Sequence, residues 1–304
     1  MLREEYAYSD IADYLYAKND LLIVGPEGED ERSCFFYENW NVRNKMILRL
    51  IRINEDTVVY CWYNNGKMLL TERIDLCLGI PRLLRGINAE EKNILIDMSS
   101  LDHVLIMYLT KVLIKEVIPR SLFASYIRPE KYSNQSGSVG FSLSDQILAV
   151  QAVPGFTKRE KGSQVLCAFL GFEGMRLNAV LETVHNVEKL VPIVAFPSGA
   201  PQWYNVTMWN SMDTLQSECK DAAVRKCSSE SVFEAVDLLK KCIRMDEKAV
   251  LVPLGTRPHS MACAIFASIH PYARIIYDYV IEHKRRAIGI SKITVYHLSS
   301  FLNT

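Results

Sequence analysis

Val165-Leu166-Cys167-Ala168-Phe169-Leu170-Gly171 runs directly into Phe172-Glu173-Gly174-Met175-Arg176-Leu177-Asn178. The first part is a short apolar run, of the length and composition of a strand covered on both faces. A glycine turns the chain, and an acidic residue and an arginine lead into a helical stretch. The same order occurs near the N-terminus. Leu21-Leu22-Ile23-Val24-Gly25 is followed by Pro26-Glu27-Gly28-Glu29-Asp30-Glu31-Arg32-Ser33.

The parallel extends outward from these two turns. Thr57–Trp62 and Leu190–Phe196 read as second strands, and Asn93–Met98 and Ala249–Leu254 as third strands. Each third strand feeds a small-residue turn, Ser99-Ser100 or Gly255-Thr256, and then an apolar helix over 101–117 or 258–269. Leu122–Ile127 and Ala273–Asp278 follow as further strands. Strands alternating with amphipathic helices imply βαβ units, because parallel neighbours need crossover connections. The expected fold class is therefore α/β, with two Rossmann-like halves, largely parallel sheets and an internal duplication. The polar stretch Ser133–Gly140 reads as the linker, giving halves at 1–140 and 141–304. Val232, Val236, Leu239 and Ile243 share one face of a helix over 229–243, Pro197–Asn210 reads as an irregular loop, and the alternating Ile293–Leu298 is expected to close a sheet edge.

Bulk composition limits the function classes. The 304 residues suit two domains of ~150 each. Lys plus Arg equals Asp plus Glu at 35 each, which argues against a protein that coats duplex nucleic acid, where excess cations neutralise phosphates. The short basic runs Lys158–Lys161 and Lys284–Arg286 read as solvated surface. Eight cysteines form no Cys-x-x-Cys pair, and the six histidines are scattered, so no metal site and no disulfide framework is expected. No signal core precedes the first strand, and Leu101–Ile118 is broken by five polar or charged residues. The expectation is a cytoplasmic chain without a membrane span and without a cofactor.

Four segments carry candidate chemistry. In Leu254-Gly255-Thr256-Arg257-Pro258-His259-Ser260 a strand ends, glycine turns, and a helix starts with proline in its first turn. Amide groups at such a start attract anions, so Gly255, Thr256, Arg257, His259 and Ser260 are candidate phosphate contacts, against the plainer role of Thr256 as a helix cap. In the turn after Gly171, Glu173 could accept from a ribose hydroxyl or serve as general base, and Arg176 could hold a phosphate or orient Glu173; a local Glu–Arg brace is the structural alternative. In Pro197–Asn205, Trp203 and Tyr204 could stack on a base and Asn205 could read its edge, or the aromatics could plug the loop. In Asp97–His103, Ser99 followed by Asp102 fits a helix cap more readily than an acid–histidine site.

The turn Leu254-Gly255-Thr256-Arg257 resembles the Gly-Gly-Thr-Lys turn of CARF domains, the Rossmann-like sensors of cyclic oligonucleotides in prokaryotic antiviral systems. Leu254 stands in place of the first glycine and Arg257 in place of the lysine, and the likeness spans 249–278. The resemblance implies ligand contacts at Gly255, Thr256 and Arg257 and a homodimer around the ligand. Three functions stay open from sequence. The first is a sensor or regulatory module for a phosphate-bearing ligand such as a nucleotide or cyclic oligonucleotide. The second is a nucleotide or nucleoside hydrolase or glycosidase using Glu173, with Arg176 and His259 beside it. The third is a non-catalytic scaffold in a larger complex.

Overall fold

The structure is a computed structural model, and it describes residues 4–28, 30–41, 45–132, 144–158, 162–218, 223–282 and 287–299. The elements in the first stretch of chain are β1 (Glu4–Ala7), α1 (Tyr8–Lys18), β2 (Leu21–Val24), α2 (Glu31–Asn41), β3 (Met46–Arg52), β4 (Thr57–Asn64), β5 (Lys67–Asp75), α3 (Leu76–Gly86), β6 (Asn93–Asp97), α4 (His103–Lys115), β7 (Ser121–Arg128) and β8 (Lys131–Tyr132). They are followed by β9 (Ser144–Ala152), β10 (Gln164–Phe169), α5 (Gly174–Thr183), β11 (Val187–Ala195), α6 (Pro201–Glu218), β12 (Arg225–Cys227), α7 (Val232–Cys242), β13 (Ala249–Pro253), α8 (Arg257–Ile269), β14 (Ala273–Glu282), β15 (Ala287–Ile288) and β16 (Lys292–His297). The chain divides into two compact units, one of Met1–Lys131 with Ala287–Thr304 and one of Tyr132–Arg286.

The first unit is built on an eight-stranded sheet in the order β1-β16-β7-β6-β2-β3-β4-β5. Its centre, β7-β6-β2-β3, is parallel, and both flanks are antiparallel. Apolar strands such as Leu21–Val24 are buried at every position, as a sheet covered on both faces requires. One face packs Leu22, Val24, Ile47 and Leu95 against Leu15 and Tyr16 of α1 and Phe36 and Trp40 of α2. Helix α4 is buried along most of its length.

Two expectations change here. The second strand, parallel to β2, is β3, not Thr57–Trp62, which lies in β4 and pairs antiparallel to β3. Arg49 interrupts the apolar pattern of β3 and hides it from a periodicity search. The β4–β5 hairpin turns at Asn65-Gly66, both with positive φ (50° and 73°), as a tight hairpin demands. The C-terminal strand does not close an edge. Instead, β16 lies between β1 and β7, antiparallel to both, so residues 292–297 belong to the first unit rather than to a continuous second half. The linker read at Ser133–Gly140 lies outside the described residues, as do Glu29, Cys219, His283, Arg159–Lys161 of the first basic run and all of Lys284–Arg286.

The second unit holds a six-stranded sheet in the order β12-β11-β10-β13-β14-β9. All its pairs are parallel except β14 with β9. Leu166, Ala168 and Leu170 of the β10 segment point to one face with Val250 and Val252, against Leu177 and Val180 of α5 and Leu215 of α6. Alternate residues point the other way, where Phe169 stacks on His259 of α8 at 4.5 Å. Pro197–Asn210 is not an irregular loop, because α6 begins at Pro201. Among the described residues no helix is long and apolar enough to cross a membrane.

Candidate active or binding site

The sheet of the second unit changes direction between β10 and β13. The chain leaves β10 toward β11 on one side, then returns from β12 to β13 on the other. In open α/β sheets the crevice beyond such a switch, at the carboxyl ends of the strands, is where ligands bind. Both glycine turns singled out by sequence lie there. A Cβ at Gly171 would come within 2.3 Å of the Leu254 carbonyl oxygen, and one at Gly255 within 2.7 Å of His259 Nδ1 and 3.2 Å of the Leu170 carbonyl oxygen. The two turns touch through backbone, and only glycine permits the approach.

Arg176 lies under this contact. It projects from the first turn of α5 and is buried, with Nη2 donating to Asp278 Oδ1 at 2.7 Å and Nε donating to Asp278 Oδ2. Nη1 donates to the Leu254 carbonyl at 3.4 Å and lies 3.7 Å from Glu173 Oε2. Asp278, on β14, is fully buried. Burial pulls the guanidinium pKa down, but the Asp278 hydrogen bonds, together with the electrostatic effects of Tyr277, Asp278 and Glu173, outweigh it and hold Arg176 above its ordinary value. This bidentate pair ties α5 to β14 and the β13 turn. The cation expected to meet a phosphate is thus committed to an internal carboxylate. Sequence offered one hint of the partner, a lone acid within the apolar run Ile275-Ile276-Tyr277-Asp278-Tyr279.

Glu173 is the residue before α5 and makes no capping hydrogen bond with its side chain. The side chain is nearly buried beside Arg176. The expected general base is thus part of a Glu–Arg–Asp arrangement rather than an acid facing solvent.

The start of α8 is similarly self-satisfied. Thr256 is the N-cap residue; its N–H points to His259 Nδ1 at 3.4 Å and its hydroxyl donates to the Ser229 carbonyl at 2.7 Å. The N–H groups of His259 and Ser260 point to the Thr256 carbonyl, and Pro258 has none to offer. His259 is wholly buried, and its Nε2 lies 2.9 Å from the Ser228 carbonyl oxygen. Nε2 therefore donates and Nδ1 accepts, which fixes a neutral ring. Burial lowers its pKa to about 4, with the Ser228 carbonyl opposing. These contacts assign His259 a bracing role between two turns. Ser260 is buried, whereas Gly255, Thr256 and Arg257 remain half-buried at the crown.

The aromatic candidates separate. Trp203 is buried on α6 and packs on Tyr132 at 4.9 Å and Phe172 at 6.0 Å, so it anchors the helix instead of offering a face. Asn205 is exposed on the same helix. Tyr204 lies edge-on to Phe196 at 5.4 Å, and Lys226 Nζ sits 4.5 Å from the Phe196 ring and 5.4 Å from the Tyr204 ring. Phe196 is 48% exposed. Phe196, just after β11, and Lys226, in the middle of β12, were not expected from sequence. The signal available was a phenylalanine at a strand end, immediately before Pro197.

In the first unit the turn after β6 is structural. Ser100 Oγ donates to the Asp97 carbonyl and accepts from Gly25 N–H at 2.9 Å, and Ser99 Oγ accepts from Ile127 N–H. The cap of α4 is Asp102, not Ser99: its Oδ1 accepts from Val104 and Leu105 N–H and from Arg52 Nε. Among the described residues no group of three or more His, Cys, Asp or Glu side chains is placed to hold a metal ion. No protein-family model, curated protein or solved structure matches the chain.

Proposed function

We propose that the second unit is a binding module for a phosphate-bearing, nucleotide-type ligand held at the crown of its sheet. The observation that carries this reading is the meeting of the Gly171 and Gly255 turns at the β10–β13 switch, with Thr256 and Arg257 opening α8 beside it. In this reading Arg257 supplies the main cationic contact. The Thr256 hydroxyl oxygen adds an acceptor, and Tyr204 with Phe196 and Lys226 supplies an aromatic and cationic flank. The chain is then a CARF-like sensor or regulatory subunit of a prokaryotic antiviral system, working as a homodimer around its ligand. Its units are Rossmann-like and descend from a duplication. The shared core order supports the duplication: β3-β2-β6-β7 in one unit and β11-β10-β13-β14 in the other.

Binding is favoured over turnover because the groups a hydrolase would need are sealed. Asp278 and Glu173 flank one buried arginine, and His259 is a neutral brace. The test is thermal denaturation of the full chain against mononucleotides, linear dinucleotides and cyclic oligonucleotides. A true ligand at a hundred times its Kd adds about 2.7 kcal/mol of stability, read as a rise of several degrees in Tm. Arg257→Ala is expected to remove that rise, measured against the variant's own unliganded Tm. Silence across the whole panel, or an unchanged rise in Arg257→Ala, would refute the reading.

A further inference from the structure

The first unit carries a buried cation whose counter-ion is not buried with it. Arg49 lies on β3 directly across from Val24, the last residue of β2, and so stands at the carboxyl end of a central parallel strand. Its neighbours Ile47, Leu48 and Leu50 are fully buried. The Arg49 side chain is only 9% exposed, whereas Glu27, its ion-pair partner at 2.7 Å, is 63% exposed on the loop between β2 and α2. Of the other buried arginines, Arg274 donates to Gln164 Oε1 at 3.2 Å, and two pair with acids that are more buried than Glu27. Arg32 pairs with Asp30 at 17% exposure and Arg176 with Asp278 at 0%.

Besides Glu27, the guanidinium is flanked by two rings. Its carbon lies 4.4 Å from the Tyr37 ring centre and 5.4 Å from that of Tyr63, and the two rings meet at 73°. Contact with the two rings occupies the guanidinium carbon, and its N–H groups are the atoms left to bind an anion. Only Nη1 bonds to Glu27, through one carboxylate oxygen, and among the described residues the buried Nε has no hydrogen-bond partner. A buried guanidinium with an open Nε donor, flanked by two aromatic rings and paired with an exposed side chain, has the form of a receptor occupied by a tethered mimic.

We propose that Arg49 anchors a site for an organic carboxylate in the first unit, and that Glu27 fills it in the unliganded chain as an internal competitor. An incoming carboxylate accepts the Nη1 hydrogen bond in the plane of the guanidinium, and the Glu27 carboxylate swings into water, where it is hydrated. No bond is made or broken in the exchange. A planar carboxylate suits the slot because a planar carboxylate already occupies it, and guanidinium and carboxylate match edge to edge. Burial pulls the Arg49 pKa down, but Glu27 together with Tyr63 and Tyr37 more than offsets this, so the guanidinium stays charged and attracts an anion. The site is separate from the one proposed for the second unit, and neither depends on the other.

The experiment is thermal denaturation of the full chain titrated with sodium acetate, with sodium phosphate in parallel at matched ionic strength. Glu27→Gln removes the competitor, so its apparent affinity for acetate is expected to rise about tenfold over the wild type, the factor lost when a competent state is only about one-tenth populated. Its Tm without acetate is expected below that of the wild type and to recover as acetate is added. Arg49→Gln is expected to abolish the acetate response. If that variant does not fold, Glu27→Gln alone decides. Equal acetate responses in Glu27→Gln and wild type would overturn the proposal. A phosphate response in Glu27→Gln as strong as the acetate response would overturn the carboxylate assignment.

Discussion

His259 has its ring wholly buried against Phe169, and burial lowers its pKa to about 4. The direction sets a pH dependence. An unfolded histidine titrates near 6.5, so below that value the unfolded chain binds a proton that the folded chain refuses. The contribution is fully present above about pH 6.5 and is lost as pH falls through about 4, to a total of about 3 kcal/mol. Urea denaturation of the wild type at intervals across that window is expected to show the decline, and His259→Gln, which has no titrating ring, to flatten it. Parallel declines in the two proteins would remove His259 as the cause. The residue was legible in sequence only as a polar group near a helix start. Its partner, the Ser228 carbonyl, lies 31 positions away across a crossover, and no local pattern points to it. The same holds for Arg176, whose partner Asp278 is 102 positions on. A residue type that suits a phosphate also suits a sealed carboxylate, and burial, which sequence does not display, decides between them.

Among the elements, the strand-to-helix turns are governed by close backbone approach. A Cβ at Gly171 would meet the Leu254 carbonyl oxygen at 2.3 Å, and one at Gly25 the Ser100 carbonyl oxygen at 1.9 Å. In both cases the obstacle is backbone, which cannot rotate aside. Gly25→Ala and Gly171→Ala are each expected to destabilise by about 2 kcal/mol or more, whereas Gly86→Ala, with open space around it, should change stability by under about 1 kcal/mol. Chemical denaturation of the three variants checks this, and a mild effect at Gly25 or Gly171 would mean that the turns do not touch so closely. These turns were legible because each couples an apolar run to a glycine and a helix start. β3 was not, because Arg49 and Arg52 break its apolar run, and the hairpin that follows was missed although Asn65-Gly66 announces it. α6 was hidden by Pro197, Gly199 and Pro201, although proline is well tolerated in the first turn of a helix.

For the whole molecule, the placement of β16 has the widest reach. It is the sole partner of β1 among the described residues and covers the edge of β7, with Tyr6 facing Val295 and Ile127 facing Ile293. A chain ending at Ile290 is expected to expose β7 and release β1, so backbone amides of residues 4–7 and 121–128 should exchange rapidly in deuterium oxide while those of 164–169 and 249–253 stay protected. Unchanged protection of β7 in the truncated chain would refute this dependence. Alternating apolar residues in 293–298 identified the strand, but period-two patterning is equally good for an edge or an interior place, so its sheet and its neighbours were beyond reach. The same feature has a meaning for synthesis on the ribosome. Residues 132–286 form a continuous segment and can fold as soon as they emerge. The strand begun at residue 4 waits for residues 292–297, an interval on the order of tens of seconds at typical elongation rates. From the completion of β7 until residues 292–297 emerge, the nascent chain displays an unzipped β7, so its early life depends on whatever shields that edge until the strand arrives.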